Sequence, residues 1–273
     1  MSNSIINISM LNFWIMKFSI ITPNHNGAEY IEGCIKSVLS QNVDFEHIII
    51  DDVSTDSSLE ILKKFPHLKI ISESDNGMYE AINKGLLISK GDFISYLNID
   101  DRYADGALAR VASEFDNDEN LDYVYGDCRL IDNFNKKLYV YKVPVIYKSL
   151  LAKISVIPWA QPSIIYKRNV FDEIGAFNVN YLLASDYHFM KRVVLSKLNG
   201  LRVNKVISEF MKRNDSLSSK YLNQMNDEVL EIKNELHLPN HYFLDVFFNL
   251  YRKIYNFHTF FKKINWIYAF VFN

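Results

Sequence analysis

The sequence predicts an α/β protein whose mostly parallel sheet is flanked by helices. Three observations carry this. From Lys17 to Leu97 short apolar runs alternate with amphipathic stretches of helical period, and such alternation calls for parallel strands with helices on both faces. The 273 residues, 49% of them hydrophobic, suffice for one large domain with a sizeable core. The unusual polar residues gather where the apolar runs end, and ligands of open α/β sheets bind beyond the carboxyl ends of the strands.

The elements follow in order. Phe18-Ser-Ile-Ile-Thr22 is an apolar run ending at Pro23 and reads as a buried strand. Residues 27–40 place Tyr30, Cys34, Ile35, Val38 and Leu39 on one helical face. His47-Ile-Ile-Ile50 is a second strand, closed by Asp51-Asp52. Ser54-Thr55-Asp56 offers a cap for a helix over 57–65, with Pro66 after its stop. Leu68-Lys-Ile-Ile71 is a third strand, and 77–89 a third helix with Met78, Ile82 and Leu86 at helical spacing. Phe93-Ile-Ser-Tyr-Leu97 is a fourth strand. Residues 102–215 are less regular, with strands expected at Tyr123–Tyr125 and Leu138–Val143 and a helix after Asp186. The chain divides into a leader (1–16), two halves of one domain (17–101 and 102–220) and a helical, aromatic-rich extension (221–273). The leader is expected to be disordered, or to precede a true start at Met16.

Composition excludes several classes. A net charge of -2 argues against a general nucleic-acid binder. Cys34 and Cys128 lie too far apart for a disulfide framework or a metal cluster. No run approaches the ~18 uncharged apolar residues that span a bilayer. The start lacks the positive region of a secretory signal.

The strand ends carry the chemistry. Asp51-Asp52, Asp75 and Asp100-Asp101 recur at one predicted sheet edge. A single such Asp is as readily a helix cap. Several converging carboxylates repel one another unless a cation or hydroxyl donors sit between them. Oxygen ligands without His or Cys suit Mg²⁺ or Mn²⁺, and Mg²⁺ completes its shell with phosphate and water. Neither G-x-x-x-x-G-K-[ST] nor G-x-G-x-x-G follows the first strand. The predicted site is therefore a metal–diphosphate site: if backbone N–H groups do not cradle the phosphates, the cation carries their charge.

Ser19-Ile-Ile-Thr-Pro-Asn-His-Asn26 followed by Ile49-Ile-Asp-Asp-Val-Ser-Thr-Asp56 resembles the opening of glycosyltransferase family 2. Asp75-Asn-Gly-Met-Tyr-Glu-Ala-Ile-Asn-Lys-Gly85, then Lys90-Gly-Asp-Phe-Ile-Ser-Tyr-Leu-Asn-Ile-Asp-Asp101, is similar to that family's third helix and its metal-binding DxD region. Gln161, Ile174-Gly-Ala-Phe177 and Ala184-Ser-Asp-Tyr187 resemble its acceptor half, so the likeness covers roughly 17–220. It implies a GT-A fold, with 17–101 binding the nucleotide sugar and 102–220 the acceptor. Pro23 and His25 would line the nucleobase pocket, with Asp52 bonding the base, commonly uracil. Asp75, Asn83 and Lys84 would lie near ribose and diphosphate. Asp101 would bind the metal, with Asp100 beside it on metal or ribose. His25 stands where the family usually has Tyr, and Asn98 replaces the first Asp often seen in the DxD, leaving fewer carboxylates for the ion.

Asp186 precedes an apolar helical face of Phe189, Met190, Val193 and Val194. It reads either as a helix N-terminal carboxylate or as the general base for an acceptor hydroxyl, and the resemblance favours the base. Gln161 is an acceptor hydrogen-bond donor or a loop residue. Trp159 is a sugar platform or core. In the tail, Phe243, Phe247, Leu250, Ile254, Phe257, Phe261, Ile264 and Tyr268 form a helical stripe beside Arg252, Lys253, Lys262 and Lys263. It either packs on protein, including a partner copy, or lies in a membrane interface.

The expected function is inverting transfer of a hexose or N-acetylhexosamine from a UDP-sugar to a saccharide, with undecaprenyl diphosphate as its lipid carrier. It would serve O-antigen, capsule or exopolysaccharide synthesis at the cytoplasmic face of the plasma membrane. A sugar-phosphate nucleotidylyltransferase would want a Gly-rich basic loop after the first strand. A catalytically silent sugar binder finds support only in Asn98.

Overall fold

The computed structural model describes residues 17–213, 216–239 and 241–256. Its first half runs β1 (Lys17–Asn24), α1 (Ile31–Leu39), β2 (Asp44–Asp51), α2 (Ser58–Leu62), β3 (Leu68–Ser72), α3 (Met78–Ile88) and β4 (Phe93–Tyr96). The second half runs β5 (Arg102–Tyr103), α4 (Ala107–Asn117), β6 (Tyr123–Ile131), β7 (Lys137–Tyr141), α5 (Lys148–Leu151), β8 (Ile164–Lys167), α6 (Asn169–Ile174), α7 (Ser185–Leu195) and β9 (Gly200–Met211). Then come α8 (Leu217–Lys220), α9 (Leu222–Glu235) and α10 (Tyr242–Tyr255).

The strands form one sheet in the order β3-β2-β1-β4-β8-β6-β9-β5, with β7 paired to β6. β1, β2, β3 and β4 pair in parallel. The apolar runs of β1 and β2 follow from this, since both faces are covered: Phe18, Ile20, Ile21, Ile48, Ile49 and Ile50 are all 0% exposed, while the edge strand β3 leaves Ile70 37% exposed. Beyond β4 the expected parallel arrangement breaks down. β8 runs antiparallel to both β4 and β6, and β5 and β7 are antiparallel to their partners, while β6–β9 is parallel.

α3 lies close against β1. A side chain at Gly85 would meet Ile21 Cγ2 at 2.5 Å, so glycine permits the approach. On one face of the sheet Tyr79, Ile82, Tyr96, Trp159, Phe177 and Phe189 belong to one core cluster. On the other, Phe18, Val38, Phe93, Leu108, Phe115 and Ile207 belong to a second. The strand expected over Leu138–Val143 is Lys137–Tyr141. The residue at the α2 N-cap is Ser57, which makes no side-chain cap bond, and Asp56 Oδ1 instead accepts the Ser58 N–H at 2.9 Å from one position before it.

Candidate active site

In-register parallel pairing sets the strand ends level: Asn24 faces Asp51, and Asp51 faces Ser72. The next residues therefore meet at one rim. His25 Nδ1 lies 2.9 Å from Asp52 O and 3.1 Å from Asp52 Oδ2. A carbonyl only accepts, so the ring carries its proton on Nδ1. Asp52 Oδ1 accepts the Asp75 N–H at 3.2 Å, and Asp75 Oδ1 accepts the Gly77 N–H at 2.8 Å. Gly77, at φ 137°, starts α3 in a conformation that other residues rarely adopt. Burial, reinforced by the Asp52 charge, pushes the Asp75 carboxyl up against the pull of the Gly77 N–H. Asn26 and Val53, at φ 50° and 43°, flank His25 and Asp52. Such conformations persist only where surrounding contacts hold them, and they cluster at ligand clamps.

Other expected donor-side residues are differently placed. Pro23 is buried within β1. Both ends of the Asn83 amide grip the backbone of Phe177, donating to its carbonyl at 2.8 Å and accepting from its N–H at 3.0 Å. Asn83 thus ties α3 to the second half of the chain rather than presenting its amide to a ligand. Lys84 Nζ binds Ser74 O at 2.8 Å and Glu73 at 3.1 Å, with Glu80 at 3.6 Å. A phosphate would compete with two carboxylates for it.

The 98–101 loop holds the oxygens that a cation would use. Asp101 is 1% exposed, and its Oδ1 accepts the Met211 N–H at 3.1 Å, which anchors the end of β9. Its Oδ2 and the Asn98 Oδ1 are buried with no hydrogen-bond partner. Burial, then the adjacent Asp100 charge, push the Asp101 carboxyl well above the usual range. Asp100 is more open, with Oδ2 3.4 Å from Arg213 Nε, and the Arg213 guanidinium lies over the Tyr30 ring at 4.5 Å. Oxygen atoms lacking donors beside a second carboxylate suit a hard cation. Among the described residues no three Asp, Glu, His or Cys side chains converge. The protein would supply only part of a shell that phosphate and water complete.

Asp186 opens α7 and is partly exposed. Oδ1 accepts the Tyr187 N–H at 2.7 Å and the Tyr79 hydroxyl at 3.1 Å. Burial, with the Glu228 charge adding to it, raises the Asp186 carboxyl against the pull of these bonds. Tyr79 also lines an open cleft of about 100 Å³ together with Asn76, Gly77, Val179, Tyr181 and Leu182. The cleft thus joins the segment after Asp75 to the segment before Asp186. Tyr79 and Glu228 do not stand out in the residue pattern: Tyr79 sits in a stretch that reads as an ordinary amphipathic helix, and Glu228 lies 42 positions beyond Asp186.

On the acceptor side the structure decides between the two readings of Trp159. Trp159 is core: it is 5% exposed, tilted against Tyr125 with ring centroids 4.3 Å apart, and its Nε1 meets Met190 Sδ. No face is left for a sugar. Gln161 spends its Nε2 on Tyr96 O at 2.9 Å, and its Oε1 is buried without a partner. That bond uses one of the two Nε2 hydrogens, so the amide can still donate.

The α/β sheet, with acids at the carboxyl ends of its parallel strands, is shared with GT-A type glycosyltransferases of known structure. Residues 19–177 match the model of Glycosyl transferase family 2, and the chain belongs to that family. A PGL/p-HBAD biosynthesis glycosyltransferase of Mycobacterium tuberculosis is 32% identical over 220 residues, covering 72% of this chain and 83% of the relative. Chondroitin synthase of Pasteurella multocida is 37% identical over 112 residues, 39% of this chain and 12% of the synthase. Among solved structures, S. aureus TarS 1-349 in complex with UDP-GlcNAc superposes with a TM-score of 0.59 at 20% identity, covering 80% and 67% of the two chains. A mannosyltransferase from Pyrobaculum calidifontis with GDP-Man and Mn2+ gives 0.58 at 15% identity, covering 78% and 64%. The protein is therefore a family 2 glycosyltransferase, which sets aside the nucleotidylyltransferase reading.

Proposed function

We propose that this glycosyltransferase moves a hexose or N-acetylhexosamine from a UDP-sugar to a saccharide acceptor with inversion. The observation that carries the reading is Asp186: a raised carboxylate, held through Oδ1 alone by neighbouring residues, beside the cleft-lining Tyr79. The binding of UDP-GlcNAc by TarS supports a uridine nucleotide, and the Mn2+ of the mannosyltransferase supports a divalent ion.

His25, Asp52 and Asp75 form the rim that receives the nucleoside. Asp100, Asn98 Oδ1 and Asp101 Oδ2 are the oxygens for Mg²⁺ or Mn²⁺, which when bound offsets the charge developing on the leaving diphosphate. Asp186 accepts the proton of the acceptor hydroxyl as that oxygen bonds to the anomeric carbon and the bond to the diphosphate oxygen breaks. One displacement turns an α-linked donor into a β-glycoside, through a transition state of oxocarbenium character.

The acceptor we assign is a saccharide on undecaprenyl diphosphate, used for surface polysaccharide at the cytoplasmic membrane face. Support comes from α10, where Phe243, Phe247, Leu250 and Ile254 are 86%, 69%, 54% and 61% exposed while Phe248 alone is buried. Arg252 and Lys253 stand in its last turn. Such a face suits the interfacial zone of an anionic bilayer. The rest of the stripe, Phe257, Phe261, Ile264 and Tyr268 with Lys262 and Lys263, lies outside the described residues. Among the described residues no helix is long and apolar enough to cross a membrane.

The test is a donor panel with a GlcNAc-diphosphate-lipid mimic, scored by UDP release and product mass. Acceptor-dependent UDP release is expected. Transfer from a GDP-sugar alone would overturn the uridine assignment, and a silent sugar binder would release no nucleotide at all.

A further inference from the structure

The C-terminal extension reaches the base. Glu228, on α9, is 8% exposed, and both of its carboxylate oxygens are engaged. Oε1 accepts the Leu182 N–H at 3.2 Å. Oε2 accepts the N–H groups of Leu183 and Ala184 at 2.8 and 2.9 Å. These three consecutive amides end one residue before α7 begins and two before Asp186. Leu182 also lines the cleft.

A carboxylate accepting three backbone N–H groups is a strong anchor, because charge-assisted bonds are about twice as strong as neutral ones. Apolar packing acts alongside it. Ile232 of α9 is fully buried against Tyr181 and Ala184, with Met225, Val229 and Tyr187 around them. Tyr181 also donates its hydroxyl to Glu235 Oε2 at 2.5 Å. The segment that carries the base is thus held from a helix some forty residues on. The extension contacts none of the rim residues His25, Asp52 or Asp75 through these bonds, so its effect should fall on the chemical step and not on donor binding.

We propose that Glu228 is a positioning residue, fixing the 182–184 backbone so that Asp186 meets the acceptor hydroxyl. The proposal rests on Asp186 being the base. Displacing a reacting group by about 1 Å costs roughly 10²-fold in rate, which sets the expected scale.

Glu228→Ala and Glu228→Gln are to be compared with Asp186→Asn in one assay, measuring kcat, the donor KM and UDP affinity by calorimetry. Amide hydrogen exchange over 182–184 is followed in parallel. Glu228→Ala is expected to lose roughly 100-fold in kcat with donor KM and UDP affinity unchanged, and with faster exchange at the three amides. Glu228→Gln keeps one acceptor oxygen and should recover part of the rate and part of the protection. Wild-type kcat in both Glu228 variants beside an inactive Asp186→Asn would overturn the positioning role alone. A fall in UDP affinity matching the fall in kcat would also overturn it, since the damage would then be general. An active Asp186→Asn would instead overturn the base assignment, whatever Glu228 does.

Discussion

Replacing Asp186 by Asn separates catalysis from stability, and the two are expected to move in opposite directions. The amide keeps an oxygen where Oδ1 stands, so the bonds from Tyr79 and the Tyr187 N–H at 3.1 and 2.7 Å survive. What disappears is the proton acceptor. Loss of a general base costs roughly 10²–10⁴ in rate, or about 2.7–5.5 kcal/mol of activation free energy at 1.36 kcal/mol per decade. Stability follows from the direction of the shift. Burial raises the folded carboxyl of Asp186 above its ordinary value of 3.8. A carboxyl raised in this way favours the fold while protonated, and that contribution is lost as pH rises through the folded pKa. At neutral pH the wild type therefore holds an ionised group that the neutral amide spares. Asp186→Asn is expected to melt higher than wild type near neutrality, with the gap closing as pH falls into the range where Asp186 protonates. Calorimetric melting across pH and single-turnover transfer on the same preparations measure both. The acidic limb of the wild-type kcat/KM profile should lie above the ordinary carboxylate value. A variant that transfers at the wild-type rate, or one that melts lower at neutral pH while keeping the UDP affinity, would refute the reasoning.

Chelating divalent metal, or Asp100→Asn, is expected to abolish transfer and weaken UDP binding at least tenfold. Full activity in excess EDTA would remove the cation from the reaction. UDP with Mn²⁺ at a hundred times its dissociation constant should stabilise the fold by about 2.7 kcal/mol, roughly 5–10 °C for a domain of this size, and EDTA should reverse the gain. Lys191 on α7 is fully buried, its Nζ bound to the carbonyls of Leu151 and Ile154, and burial pulls it from 10.5 down to about 8. A base depressed on folding penalises the fold below about 8, and that penalty is relieved as pH rises towards 10.5. Wild-type stability minus that of Lys191→Met, from urea melts, should thus rise across this window by at most about 3 kcal/mol, and a flat difference would show that the ammonium is hydrated. Phe243→Ser with Phe247→Ser should reduce flotation with anionic liposomes, and undiminished flotation would show that this face is not the anchor.

The first half of the fold is legible because its information is local. β1, β2 and β4 carry short apolar runs that are buried, and α1 and α3 show their buried stripes. Once parallel pairing is granted, the rim residues follow. The second half is not local. β9 is twelve residues long with an irregular burial pattern and register shifts against β6, so no clean alternation marks it. α4 carries a clear buried face of Leu108, Val111 and Phe115, a signal present in the residues but masked by flanking charge. β8 is too short, at four residues, to stand out. The cleft wall, the Asn83 clamp on Phe177 and the Glu228 anchor all join positions more than forty residues apart, which no local pattern encodes.

Residue type names a chemistry, but what counts is which polar atoms the fold has already used. The two acidic doublets make the point. Asp51 is 0% exposed and binds the Asn24 amide, Ser72 and both the N–H and hydroxyl of Ser54. Asp52, next in line, keeps a side chain 29% exposed beside His25. Successive side chains at a strand end point to opposite sides, so one acid is drawn into the fold and its neighbour is left at the rim. The second doublet reverses the order: Asp101 is sealed and braces Met211, while Asp100 is 18% exposed. In each doublet one acid is tied into the fold, Asp101 through Oδ1 with Oδ2 left over, and its neighbour is the more open. Removing Asp51 or Asp101 is expected to cost stability, because each leaves a buried donor unmet at about 1–3 kcal/mol, and removing Asp101 also takes Oδ2 from the proposed cation. Removing Asp52 or Asp100 is expected to cost donor affinity at unchanged melting temperature. The same loss of affinity from all four, with no change in melting, would mean that burial does not sort these carboxylates.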